Sequence, residues 1–275
     1  MKSAIIGLLA ETSLHPGTGQ VVGAVDLPVA RERHTGYPVI VGSSLKGSLR
    51  DRAEQEWGVD SPKVKKIFGE QEAAGAVAVT DARLLLLPVR SLNGHFKWVT
   101  CPYLLERFKR DAGLAGIQAD FDVPKVDGEE AVVAKPEGQI FLEELAFTQR
   151  KGDLERVIAA LKALVLHPSV AGRLEEGLTV ISDGDFAYFA RYGLAVNARN
   201  VLDDKTKVSE NLWYEETIPS DSLFYALLLA RCGEENALAS LKELFEKRPY
   251  LQVGGNETVG QGWCAVSWAE AGGAK

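Results

Sequence analysis

Pro38-Val39-Ile40-Val41-Gly42-Ser43-Ser44-Leu45-Lys46-Gly47-Ser48-Leu49-Arg50 is the stretch on which the fold turns. It reads as the end of an irregular segment that passes through a glycine into a helix near Ser43-Ser44. Ser43 and Ser44 are good N-cap residues, and Leu45, Leu49, Ala53 and Trp57 then recur along one apolar stripe. Lys46 and Arg50 stand four apart, so they project from one helical face near free N–H groups and two hydroxyls. That makes a generic anion seat; taken alone, the stretch reads equally as a solvated face on a capped helix. Its residue order lacks the Gly-Lys-Ser/Thr of a nucleotide phosphate loop.

Upstream, residues 2–12 are rich in Ile and Leu and predict a buried strand, bounded by His15-Pro16-Gly17-Thr18-Gly19. Residues 13–42 read as irregular. Gly17, Gly19 and Gly23 have the wrong spacing for a dinucleotide fingerprint and no helix follows them, which argues against a nicotinamide site. Downstream, 76–87 predicts a β run stopped by Pro88, and a short amphipathic helix follows Pro102. From 112 to 139 the pattern dissolves into Gly, Asp, Pro and Lys, the signature of a long loop or insertion. A strand at 140–147, a periodic helix at 153–166, a strand near 177–183 and a helical turn at Asp185-Phe186-Ala187-Tyr188 come next. The polar stretch 195–219, ending in Trp213-Tyr214-Glu215-Glu216, suits an extended hairpin arm. A strand at 222–231, a helix at 234–246, a glycine-rich loop at 254–262 and a strand near 262–269 close the chain. Strands and helices mix without strict alternation. This predicts an α+β fold with a ferredoxin-like core and insertions rather than a doubly wound parallel sheet.

Composition narrows the function classes. The 275 residues include 46% apolar and 25% charged residues, enough chain for a self-sufficient core. Lys+Arg number 31 against 38 Asp+Glu, a net charge of −7, which disfavours nucleic-acid binding through the whole surface but leaves room for one basic face. Arg31, Arg33, Lys46, Arg50, Lys63, Lys65 and Lys66 suggest such a strip, able to track phosphates. Cys101, Cys232 and Cys264 form no C-x-x-C pair, so neither a disulfide framework nor a thiolate zinc site is expected. The odd cysteine count, the absence of a membrane-length apolar run and a Ser3–Ala10 stretch without a cleavage site predict a cytoplasmic protein with no membrane partner.

Several residues stand out without declaring a role. Asp26 before Leu27-Pro28 reads first as a turn residue, and His15-Pro16 as a structural loop. Trp213-Tyr214 suits stacking on bases or an ordinary half-exposed hairpin pair. Gly254, Gly255, Gly260 and Gly262 would let backbone lie close to a sugar–phosphate chain, or simply make a flexible connection. His34, His95 and His167 have no partner that sequence identifies.

Together, His15-Pro16-Gly17-Thr18-Gly19, Asp26, the 38–50 stretch, Leu87-Pro88-Val89-Arg90-Ser91, Trp98-Val99-Thr100-Cys101-Pro102, Leu212-Trp213-Tyr214-Glu215-Glu216 and the glycine-rich loop resemble the backbone RAMP subunit of the Cmr (type III-B) CRISPR–Cas effector complex. The resemblance spans nearly the whole chain. It implies a single domain over 1–275, a modified RRM-like palm with an inserted helical region about 112–139 and a β-hairpin thumb about 195–219. It implies copies stacked head to tail along a guide RNA, beside other Cmr subunits, cutting paired single-stranded target RNA at regular intervals. The implied catalytic residue is Asp26, as proton acceptor or as ligand of a divalent ion, Mg²⁺, with His15, Glu215 and Tyr214 as neighbours. Guide binding is expected at Ser43, Ser44, Lys46, Arg50 and the glycines at 254, 255, 260 and 262. The hairpin would wedge between base steps and kink the target. Two other readings stay open: a non-catalytic RNA-binding scaffold of this or the type III-A complex, and a small-molecule enzyme indifferent to RNA.

Overall fold

A computed structural model describes residues 2–20 and 22–271. The chain opens with β1 (Ser3–Ala10), crosses an irregular segment to β2 (Val39–Ile40), and enters α1 (Gly42–Trp57) and α2 (Pro62–Phe68). The small hairpin β3 (Gly69–Glu70) and β4 (Ala73–Ala74) precedes β5 (Val77–Val79), β6 (Ala82–Arg90), β7 (Phe96–Thr100) and α3 (Pro102–Leu114). Then come β8 (Glu130–Val133), β9 (Gln139–Leu142), β10 (Leu145–Lys151), α4 (Glu155–Lys162), α5 (Pro168–Gly177), β11 (Leu178–Val180) and α6 (Asp183–Tyr192). The hairpin β12 (Ala195–Leu202) and β13 (Ser209–Thr217) leads to β14 (Leu223–Ala230), α7 (Asn236–Lys247), β15 (Tyr250–Gln252) and β16 (Trp263–Glu270).

The palm is the antiparallel run β16-β1-β14-β6. In chain order these are the fourth, first, third and second strands, with α1 inside the first crossover and α7 inside the second, which is the expected ferredoxin-like arrangement. Every residue of β1 is buried, and Leu164, two residues past the end of α4, presses against its Gly7. The covering is tight: a Cβ on Gly7 would lie 2.2 Å from the Leu164 carbonyl oxygen. Residues 91–222 are thus one large excursion between the second and third palm strands. Its strands β7, β11, β8, β10 and β9 extend the same sheet beyond β6, giving twelve strands with β2 and β5 at the side.

Several elements depart from the sequence reading. Pro88 does not stop β6. Pairing with β14 ends at Leu86, and residues 87–90 pair with β7 alone, so one side of the strand needs no N–H donor there. The single strand expected at 140–147 is a hairpin, turned at Glu143 with φ 48°. The helix expected at 153–166 ends at Lys162, and Pro168 starts the separate α5. Residues 112–139 are not a free loop: α3 runs to Leu114, β8 begins at Glu130, and buried Phe121 stacks on Phe108 with its carbonyl accepting from Lys109 Nζ at 2.6 Å. The N-cap position of α1 belongs to Val41, not to Ser43 or Ser44. The carboxylate of Asp81 does the capping from the β5–β6 turn, accepting from the Gly42 N–H at 2.6 Å.

Candidate functional site

After Ala10 the chain leaves the sheet and doubles back along the root of the hairpin. Leu14 bridges Ile218, and Leu27 bridges Glu215. The hairpin therefore acts as a template on which the irregular 13–37 segment is laid down by backbone pairing. Leu27 N–H donates to the Tyr214 carbonyl at 3.0 Å, and Glu216 N–H donates to the Leu27 carbonyl at 3.0 Å. Half-buried Asp26 sits where this pairing begins, its Oδ2 accepting the Tyr214 N–H at 2.8 Å. No protein group occupies its other oxygen among the described hydrogen bonds, so Oδ1 is available to a substrate.

Strand alternation decides what the rest of the hairpin contributes. Opposed residues share a face, so Val196, Ala198, Leu212, Tyr214 and Glu216 lie on one side, and Asn197, Arg199, Trp213, Glu215 and Thr217 on the other. Tyr214 and Glu215, read as joint neighbours of Asp26, are thus split between faces. Tyr214 offers Asp26 its amide while its ring is 43% exposed. Glu215 is buried at 2% exposure, its Oε1 taking hydrogen bonds from Arg199 at 3.1 Å and Asn256 Nδ2 at 2.6 Å. Glu215 thereby ties the hairpin to the glycine-rich loop.

His15 stands at the junction of all three segments. Its Nδ1 lies 2.8 Å from the Glu216 carbonyl oxygen; a carbonyl only accepts, so Nδ1 carries the proton and a neutral ring leaves its lone pair on Nε2. Gly255 N–H donates to the His15 carbonyl at 2.9 Å. Gly254 is required here by geometry: φ is +82°, and a Cβ would come within 2.7 Å of that same carbonyl. Gly262 is required likewise, with φ +92° and the Val253 carbonyl 2.4 Å from a Cβ position. The glycine-rich loop is a fitted wall of the His15 site, while Gly260 at its outer edge has open space around it.

The structure brings together Asp26, His15, Glu215, the Tyr214 amide and the glycine-rich loop. The Ser43, Ser44, Lys46 and Arg50 face stands apart. Helix α1 starts beside Thr80–Asp81, where Thr80 N–H meets the Leu227 carbonyl, whereas β1 exits opposite Leu223. Ser43 and Ser44 are exposed there, and Lys46 and Arg50 line a cleft with Arg231 against β3–β4. Much of the expected basic strip is already paired: Arg31 with Glu216, Arg50 with Glu54 at 2.7 Å, Lys66 with Glu234 at 2.8 Å, and more loosely Lys63 with Glu243 and Lys65 with Glu70, both at 3.9 Å. Lys46 and Arg33 have no such partner among the described ion pairs. Sequence reasoning missed the roles of Arg199, Asn256 and Glu216. The period of two along 213–217 could have separated Tyr214 from Glu215, but nothing local links Glu215 to Asn256.

No group of three or more His, Cys, Asp or Glu side chains among the described residues could cage a metal ion. The donor set at Asp26 is one carboxylate with one oxygen spare. That suits an ion shared with water and substrate phosphate, as Mg²⁺ commonly is, and not one held by protein alone.

Residues 8–265 match the model of the RAMP superfamily. The chain is 40% identical over 287 aligned positions, 98% of this chain and 97% of the other, to the protein named CRISPR system Cmr endoribonuclease Cmr4 of Pyrococcus furiosus. It superposes on the crystal structure of oligomeric Cmr4 from Pyrococcus furiosus with a TM-score of 0.80 at 36% identity, covering 98% of each chain. It shares its fold with a chain of the cryo-EM structure of the type III-B Cmr-beta complex bound to cognate target RNA, with a TM-score of 0.80 at 24% identity over 98% of this chain and 97% of that one. No described helix is long and apolar enough to cross a membrane.

Proposed function

The chain belongs to the RAMP superfamily, within the family of the Pyrococcus furiosus Cmr4 protein, and on that premise we propose that it is the target-cutting backbone subunit of a type III-B ribonucleoprotein. Copies stack head to tail on a guide RNA, with other Cmr subunits, and each presents one Asp26 to the paired target. The observation that carries this reading is the Asp26 carboxylate, held by one oxygen on the Tyr214 amide at the root of an exposed arm, with its second oxygen spare.

RNA carries its own nucleophile, the 2′-OH, but in an A-form duplex that oxygen is poorly aligned with the adjacent phosphorus. The first task of the protein is therefore geometric. The arm presents an apolar exposed face, with Val196, Leu212 and Tyr214 on one side and Val208 near the tip, suited to enter between base steps and unstack one of them. Freed from the stack, the 2′-oxygen can reach in-line. The spare oxygen of Asp26 accepts its proton as the O2′–P bond forms and the P–O5′ bond breaks. The products are a 2′,3′-cyclic phosphate and a 5′-OH that takes its proton from water. His15 Nε2, with its lone pair, is the second acceptor within the same walls. In its alternative role Asp26 would instead hold a divalent ion, which would supply charge neutralisation at the phosphate. Lys46, Ser43, Ser44 and the glycine-rich loop suit contact with a sugar–phosphate backbone of any sequence, because base pairing carries the specificity.

The test is Asp26→Asn in the reconstituted complex. Cutting at regular steps should fall to a small residual rate while target affinity is retained. Even cutting at the wild-type rate by this variant would leave the subunit a scaffold.

A further inference from the structure

We infer that Glu216 and Arg31 are positioning residues for this cleavage, their partly buried ion pair holding the Asp26 segment in register on the hairpin root; the inference rests on the reading of Asp26 above. Glu216 is 7% exposed and lies on the face opposite Glu215. Its Oε1 receives the Arg31 guanidinium at 2.6 Å and its Oε2 the Val29 N–H at 3.0 Å. Its backbone N–H holds the Leu27 carbonyl and its own carbonyl holds His15 Nδ1. One residue thus touches both sides of the proposed chemistry, the Asp26 segment and the His15 ring.

Arg31 completes the device. The same guanidinium donates to the Gly36 carbonyl at 2.9 Å and to the Ala190 carbonyl of α6 at 2.6 Å. A planar fork can serve three acceptors in fixed directions, which a lysine ammonium on a flexible stem cannot. The segment carrying Asp26 is therefore fastened to the arm by Glu216 and braced against a helix by Arg31. On the other side of Asp26 no described hydrogen bond or ion pair gives such support, and residues 22–24 are exposed. A buried ion pair is poor evidence for stability, because desolvation offsets its attraction. What a carboxylate held at both oxygens, by Arg31 and by the Val29 N–H, does provide is a single register for the backbone between Asp26 and Arg31. The neighbouring buried carboxylate performs the matching task for the other wall, since Glu215 fastens the glycine-rich loop through Asn256.

The experiment uses the complex reconstituted with guide RNA and measures single-turnover cutting, target affinity and thermal midpoint for Glu216→Gln and Arg31→Lys, alone and combined with Asp26→Asn. Glu216→Gln should slow cutting about 100-fold, the scale of a misplacement near 1 Å, with the spacing of cuts unchanged. Target affinity should stay within about two-fold, a kcat effect without a binding effect. Arg31→Lys should lose less, since it keeps the charge and gives up the fork. In the Asp26→Asn background Glu216→Gln should change the residual rate no further, because it acts through Asp26. Wild-type cutting by Glu216→Gln, in a complex that Asp26→Asn silences, overturns this inference and leaves the assignment of Asp26 standing. A further loss in the Asp26→Asn background overturns it too. Wild-type cutting by Asp26→Asn overturns the earlier reading instead. If Glu216→Gln does not assemble, Arg31→Lys is judged by the same criteria.

Discussion

Strands β12 and β14 are both eight residues long and behave as opposites. In β14, Leu-Phe-Tyr-Ala-Leu-Leu-Leu-Ala is buried at all but one position and paired on both sides. In β12, Ala-Val-Asn-Ala-Arg-Asn-Val-Leu is exposed at all but one position and pairs only with β13. A strand buried on both faces is held by the core. A two-stranded ribbon in water is marginal and needs fastening at one end. Here the fastening is the polar cluster at the root, so the parts that anchor the arm are also the parts that frame Asp26. The palm can be judged by stability, the arm by activity.

Substitutions can test that division. Leu8→Ala, at 0% exposure in β1, should cost about 3 kcal/mol in urea unfolding of the free subunit, from lost transfer energy and the cavity left behind. A cost below that of Leu212→Ala on the hairpin would break the comparison. Asp221, between the arm and β14, should give a smaller, pH-dependent effect. Burial holds its carboxyl above the ordinary aspartate range, against the pull of Arg173. Its folded pKa exceeds the unfolded one, so the native state binds the extra proton. This contribution to stability is complete below the unfolded pKa, falls as pH rises through the window between the two values, and stays lost above it. Asp221→Asn keeps a residue tolerant of its φ of 65°, and should remove that slope and be the more stable protein at neutral pH. Unfolding midpoints from acid to neutral pH read this directly; an unaltered slope assigns the titration elsewhere. Leu212→Ala, exposed on the arm, should change stability by less than about 0.5 kcal/mol. In the assembled complex it should nonetheless slow target cutting, which a gel of cleavage products against time would reveal.

The palm was legible because its signals are local. The apolar run of β1 and the stripe Leu45, Leu49, Ala53 of α1 are periodicities within one element. The misreadings have non-local causes. Pro88 is harmless only because β14 has ended beside it, and α1 is capped from Asp81, thirty-nine residues away. The site divides the same way. Asp26 and His15 were found through motif resemblance, yet their partners lie 188 and 201 residues further on. The Glu216–Arg31 brace and the Glu215–Asn256 tie join segments brought together only by folding, so no spacing in the chain announces them. Arg31 was read as part of a phosphate-binding strip because a sequence shows charge without showing what neutralises it.

The turn at the tip of the arm closes on itself. Asp203 Oδ1 accepts from the N–H groups of Lys205 and Thr206, and Asp203 N–H donates to the Val208 carbonyl. Nothing at the tip depends on the root some nine residues down β13, so the two ends of the arm are free to evolve under different constraints. Added pairs of residues near the tip, one in each strand, would lengthen the reach by about 3.4 Å per pair while the root geometry stayed as it is. On the proposed reading, a filament of such subunits would have two independent rulers: the palm repeat, which would set how far apart its target is broken, and arm length, which would set how deeply each break is pried open.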